Sequence, residues 1–340
     1  MKIIIPGGSG QVGTMVARAF HGEGHEVIVL SRRPRSMPWS TVEWDGVHLG
    51  PWLSSLDGAD VLLNLTGRSV NCRYTAANRR QILDSRVRST RVLGQALAKV
   101  HRRPRVWLQA STATIYAHRY DAPNDEVTGI IGGDEIDAPD TWRFSIDVAR
   151  AWEQAFNEVS VPGIRKVTLR SAMTMSADRG GVFDALLALV RRGQGGRIGD
   201  GRQFMSWVHE LDFVRSLHWL IARDDFEGIV NIASPNPIPN DEFMRVLRYA
   251  WGTRVGVPTA QWMLEIGALF LRTESELVLK SRRVVPRRLL ERGFVFAYPH
   301  WPDAARDLCR EWLTRRGGGA YTPTRAQQSQ RSTPEGATSR

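Results

Sequence analysis

Apolar residues along this chain alternate between short unbroken runs and longer stretches with helical spacing. Ile3-Ile4-Ile5-Pro6 is the first run and leads straight into Gly7-Gly8-Ser9-Gly10-Gln11-Val12-Gly13. Val12, Met15, Val16, Ala19 and Phe20 then recur at intervals of three and four, which lines one face of a helix. Gly22 and Gly24 break that helix, and Glu26-Val27-Ile28-Val29-Leu30 supplies a second apolar run. Strand, helix and strand in this order form a βαβ unit, so the two strands are parallel. Further runs at 60–65, 105–110 and 165–170 are separated by helical stretches near 76–100 and 142–159. The alternation predicts an α/β fold, a Rossmann-type doubly wound parallel sheet.

After Arg170 the pattern loosens. Glycines at 180–181 and between 193 and 201 predict loops over the carboxyl edge of the sheet, and 228–233 reads as a late strand. Residues 235 to 315 read as mainly helical, with turns at Pro258 and Pro286. Beyond 316 the chain is rich in Gly, Ser, Thr and Gln with almost no large apolar residue, which predicts a disordered tail over 316–340. There is no internal repeat. The expected domains are a sheet domain of 1–175 plus about 205–233, and a smaller substrate-side domain of about 176–204 and 234–315.

Composition changes this picture little. With 42% hydrophobic and 24% charged residues in 340, the chain is ordinary for a globular protein. No run is long and apolar enough for a membrane span. The N-terminal apolar run is too short for a signal peptide and reads as a first buried strand. Two cysteines, Cys72 and Cys309, lack metal-ligand spacing, so no metal is expected, and a reducing cytoplasm fits. The net charge of +11 raises nucleic acid as a partner. However, only Lys2, Lys99, Lys166 and Lys280 are lysines, and the arginines are dispersed. That skew reads as codon usage, so neither nucleic acid nor membrane is expected as a partner.

Glycines 8, 10 and 13 satisfy G-x-G-x-x-G, and glycines 7, 10 and 13 satisfy G-x-x-G-x-x-G. Placed between a first strand and an amphipathic helix, this pattern predicts a dinucleotide diphosphate seated on the helix N-terminus, with Gly7, Gly10, Gln11, Val12 and Gly13 around it. The second strand ends in Ser31-Arg32-Arg33, where NAD binders place a carboxylate. An arginine here pairs with a 2′-phosphate, so the cofactor expected is NADP(H), with Ser31 and Arg32 at its adenosine end.

These residues resemble the extended short-chain dehydrogenase/reductases, the group of sugar-nucleotide epimerases. Asn64-Leu65-Thr66-Gly67 stands where that family lines the cofactor, which implies contacts from Leu65, Thr66 and Gly67. Ala110-Ser111-Thr112-Ala113-Thr114-Ile115-Tyr116 is similar to its S-S/T-x-x-V-Y segment, and Thr112 takes the place of the residue that hydrogen-bonds the reacting oxygen. The family's Y-x-x-x-K is missing. Glu153 sets the register, so Ser145 stands for the tyrosine and Ala149 for the lysine, and none of the six tyrosines has a lysine four residues on. Without the lysine ammonium to lower a phenol's pKa, the usual acid/base route is lost.

A narrower resemblance accounts for the departure, to atypical "epimerase family" proteins with a C-terminal domain of unknown function. It rests on the Trp152-Glu153 pair, on 199–209 followed by Asp212, and on 283–294 ending near Tyr298-Pro299, and it covers about residues 1 to 312. It implies that Arg86 approaches the cofactor phosphates, with Gln81 one helical turn earlier and Thr174 near the nicotinamide. It supplies no substrate. Tyr116 is an alternative acid, though packing or cofactor shielding reads better for it. His209 and Asp212 tempt as a catalytic pair, though Asp212 reads better as support for the following helix, and Arg202 is a candidate for substrate contact. Tyr74 and Arg73 receive no role. Two readings follow: an NADP(H)-dependent oxidoreductase or epimerase-like enzyme acting on an unknown small molecule, and a non-catalytic NADP(H)-binding sensor or scaffold.

Overall fold

The strands are β1 (Lys2–Pro6), β2 (Glu26–Ser31), β3 (Ser40–Glu43), β4 (Val61–Asn64), β5 (Val106–Thr112), β6 (Arg165–Ser171), β7 (Met173–Met175), β8 (Phe204–Met205), β9 (Trp207–His209), β10 (Gly228–Ile232) and β11 (Ile238–Pro239). The helices are α1 (Gln11–Gly22), α2 (Leu53–Leu56), α3 (Ala76–Leu97), α4 (Asp140–Asn157), α5 (Val182–Arg191), α6 (Glu210–Ala222), α7 (Asn240–Trp251), α8 (Arg287–Glu291) and α9 (Trp301–Thr314). This is a computed structural model, and it describes residues 1–135, 139–258 and 280–317. The expected tail lies, from residue 318, outside the described residues, as does the stretch 259–279 of the expected helical region.

Seven strands form one sheet in the order β10-β6-β5-β4-β1-β2-β3, and every pairing is parallel. Strand order reverses between β1 and β4, which opens a crevice at their carboxyl ends. The unbroken apolar runs follow from helices covering both faces. Along β1, Ile3 and Ile5 point into a core with Met15, Val16 and Phe20 of α1 and Phe213, Leu217 and Leu220 of α6. Ile4 points the other way, toward Val92, Leu93 and Ala96 of α3 and Phe156 of α4. A second core joins α5, α7 and α9, with Phe183, Leu187, Phe243, Leu247, Trp301 and Leu308 at its centre.

The structure departs from the sequence expectation in two places. Edge strand β3 is Ser-Thr-Val-Glu and half exposed, so it carries no apolar run to find. The loops expected at 180–181 and 193–201 flank α5, a ten-residue helix that the sequence reading left unassigned. Among the described residues no helix is long and apolar enough to cross a membrane.

Candidate functional site

The turn after β1 is shaped by contacts that only glycine allows. Gly7 has φ +75°, donates its N–H to Leu30 O at 3.0 Å, and a Cβ there would lie 2.7 Å from Leu65 C and Thr66 Cα. A Cβ on Gly13 would lie 2.5 Å from Gly8 Cα, so the first turn of α1 rests directly on the loop. Gly10 is the N-cap and offers no side-chain cap, and the first turn holds no acidic residue. The positive end of α1 therefore faces outward, ready for an anion. Val12 packs partly buried on the core behind it. Gln11 reaches Gly181, where a Cβ would meet its Nε2 at 1.8 Å, and so closes one wall against the segment before α5.

Ser31, at the end of β2, is buried and donates to Ser9 Oγ at 3.0 Å, tying this strand end to the glycine loop. Arg32, Arg33 and Arg35 follow it, all exposed. At the end of β4, buried Asn64 donates to Gln109 Oε1 at 3.0 Å and accepts from Thr66 N at 3.0 Å, bending the chain so that Leu65 and Thr66 lie against Gly7. Thr66 Oγ1 is buried and makes no hydrogen bond. Gly67 lies against the Arg86 guanidinium, whose Cζ would be 3.0 Å from a Cβ at that position. Arg86 donates to Arg68 O and Ile82 O at 3.1 and 3.0 Å and stacks 5.0 Å over Trp152. Burial brings it down to about 10, and among the described residues no carboxylate pairs with it. Gln81 accepts from Arg68 Nη1 on the exposed rim. Gly7, Leu65, Thr66, Gly67 and Arg86 thus meet in one crevice.

Thr112 ends β5, with its hydroxyl donating to Thr114 Oγ1 at 3.0 Å and accepting from Thr114 N at 3.1 Å. Behind it runs a buried polar chain. Ser111 Oγ donates to Glu153 Oε1 at 2.6 Å, and Arg170 grips both Glu153 oxygens at 2.8 and 2.7 Å. Arg170 lies 5.0 Å over the Tyr116 ring, and the Tyr116 hydroxyl donates to Asn231 Oδ1 at 3.0 Å. Burial raises the Tyr116 phenol, and its bond to β10 turns it away from the β1–β4 crevice. This geometry fits the packing reading of Tyr116 that the sequence offered beside the acid's role.

Two side chains without a sequence role stand nearer. The Tyr74 hydroxyl lies 3.5 Å from Ser145 Oγ, at the α4 position that lacks the family's tyrosine, and its ring meets Phe144 edge-on at 5.0 Å. Tyr74 and Arg86 are close enough for their charges to interact. Lys280 is fully buried and donates to Thr114 O at 2.8 Å, two residues past Thr112. Only the rarity of lysine in this chain marked it beforehand.

The other candidates are structural or lie elsewhere. His209 caps α6 by accepting from Leu211 N at 3.1 Å and stacks on Tyr298 at 4.0 Å. Asp212 accepts from Ala297 N and Tyr298 N at 2.7 and 2.8 Å, anchoring the return of the chain onto α6. Thr174 is buried on β7, paired with Val208. Arg202 lies 5.9 Å from the Tyr120 ring, and Trp207 is buried in the second core.

Residues 3–233 match the NAD dependent epimerase/dehydratase family, well over half of the chain. The chain belongs to that family. Residues 259–308 match a domain of unknown function, DUF1731. Epimerase family protein SDR39U1 of Bos taurus is 29% identical over 314 residues, covering 91% of this chain and 99% of the relative. YfhF of Bacillus subtilis is 26% identical over 317 residues, covering 92% of this chain and all of the relative. The crystal structure of human SDR39U1 with NADPH superposes with a TM-score of 0.79 at 27% identity, over 91% of this chain and 99% of that one. The sequence resemblance, and the Rossmann-type sheet expected from the strand–helix alternation, are thereby shown.

Proposed function

We propose that this family member binds NADP(H) across the β1–β4 crevice and acts as an oxidoreductase or epimerase-like enzyme on a small carbonyl or hydroxyl compound. Arg86 carries the reading: a half-buried cation with no carboxylate partner among the described residues, at the wall of a glycine cradle and the uncapped end of α1, fits a diphosphate. The orphaned Thr66 hydroxyl fits a polar ligand, and exposed Arg32 fits a 2′-phosphate. Human SDR39U1, similar along nearly its whole length, was crystallised with NADPH.

When bound, the dinucleotide supplies or accepts the hydride. The chain's own groups do the rest. Thr112 orients the reacting oxygen with its hydroxyl. Tyr74, arriving from the loop before α3, supplies a phenol where α4 has only Ser145, and Arg86 takes the lysine's part by favouring the phenolate. Lys280 adds positive charge beside Thr114.

Calorimetric titration with NADPH and NADH, followed by NADPH oxidation assays over a panel of aldehydes, ketones and nucleotide sugars, tests this. Tight NADPH binding with turnover of at least one compound is expected. Failure of well-folded protein to bind either dinucleotide overturns the proposal. Binding without any turnover favours the non-catalytic sensor.

A further inference from the structure

Far from the crevice, three ligating side chains converge. Helix α1 begins at the cradle and runs twelve residues, about 18 Å, to the opposite edge of the sheet. Glu23 stands at its C-terminal end, His25 just before β2, and His218 on α6. His218 Nε2 lies 3.0 Å from Glu23 Oε2, and His25 Nε2 lies 3.8 Å from the same oxygen. One ligand atom from each residue falls within 4.8 Å of the others.

We propose that Glu23, His25 and His218 form a divalent transition-metal site, suited to Zn²⁺, which clamps the end of α1 to α6. Two imidazole nitrogens and one carboxylate oxygen are a borderline donor set of the kind zinc takes, with bonds of about 2.1 Å. Ligand atoms around a tetrahedral ion with such bonds are about 3.4 Å apart, between the two separations found here. His218 Nε2 is buried and forms no hydrogen bond of normal geometry with the carboxylate it faces.

The surroundings support a cation. The last carbonyls of α1 place partial negative charge beside Glu23. Fully buried Phe20 backs both imidazoles, with ring centroids 4.3 Å from His218 and 5.8 Å from His25, which limits their rotation. Arg215 borders the same region, but its Nη1 lies 3.0 Å from Asp212 Oδ1, so its charge is already met. Beside the triad a cleft of about 620 Å³, lined by Glu23, Arg215, His218, Trp219 and Phe294, leaves room for water at a fourth position.

The test uses the untagged full chain, dialysed against EDTA and titrated with Zn²⁺ and separately with Co²⁺. One ion per chain is expected, with visible cobalt absorption that zinc displaces and a rise in Tm that EDTA reverses. Glu23→Gln and His218→Gln each reduce affinity by more than about tenfold. His25→Gln serves as a third variant should either fail to fold. His48→Gln, at an exposed histidine paired with Asp45, leaves binding unchanged. No saturable uptake, or equal uptake by the wild type and all the triad variants, overturns the site.

Discussion

Removing Glu153 isolates a buried cation, Arg170, from the anion that pairs with it. The Arg170 and Glu153 side chains are only 8% and 10% exposed and meet through two hydrogen bonds, with Ser111 adding a third to the carboxylate. Burial alone would push Arg170 down, but the Glu153 carboxylate more than offsets it and holds the guanidinium above its ordinary value. Glu153→Ala leaves that guanidinium buried without its anion, a class of change that costs about 3–5 kcal/mol. An unfolding entropy of about 2.1 cal/mol/K per residue makes each kcal/mol worth about 1.4 °C in a chain of 340 residues, so Tm should fall by at least about 4 °C. Thermal melts of the wild type, Glu153→Ala, Arg170→Met and the double variant Glu153→Leu/Arg170→Met provide the assay. The double variant should recover much of the loss, since it removes both charges together. A fall below about 2 °C for Glu153→Ala, or a double variant as unstable as the sum of the singles, refutes the reasoning.

Other expectations are simpler. Arg32→Glu should weaken NADPH binding more than about tenfold by repelling the 2′-phosphate while sparing NADH, as calorimetry would show, and equal effects on both would remove Arg32 from the site. With any substrate found, Tyr74→Phe should lower kcat by about a hundredfold or more at unchanged NADPH affinity, and an unchanged kcat would return the proton to water. In the native protein a thiol reagent should modify Cys72 and spare Cys309, whose thiol is buried and pushed up to about 12. Modification of both before unfolding would contradict the packing of α9.

Apart from β3, the sheet was legible because its strands are largely buried on both faces and carry short runs rich in Val, Ile and Leu, a signal needing no neighbour to interpret. The glycine cradle was legible for a related reason: Gly7 and Gly13 are demanded by local backbone contacts. Arg86 was reached only through resemblance, since nothing in its helix sets it apart from Arg88 or Arg91. Tyr74 was invisible. Its meaning comes from a helix that begins 66 residues later in the chain, at Asp140, whose Ser145 leaves the space its hydroxyl approaches. The motif alone left Tyr116 between acid and packing, because it said nothing of Asn231, which arrives 115 residues later and takes its hydroxyl.

The strand-like return at 280–285 carries a consequence for biosynthesis. Arg283 O accepts from Asn124 N at 2.6 Å, Val285 N donates to Asn124 O at 3.0 Å, and Lys280 reaches Thr114. The chain around Thr114 and Asn124 is therefore held by a segment synthesised after all seven strands of the sheet. A nascent chain can close its parallel sheet and glycine turn before this segment arrives, and a chain cut short ahead of residue 280 would keep the cradle while lacking these contacts.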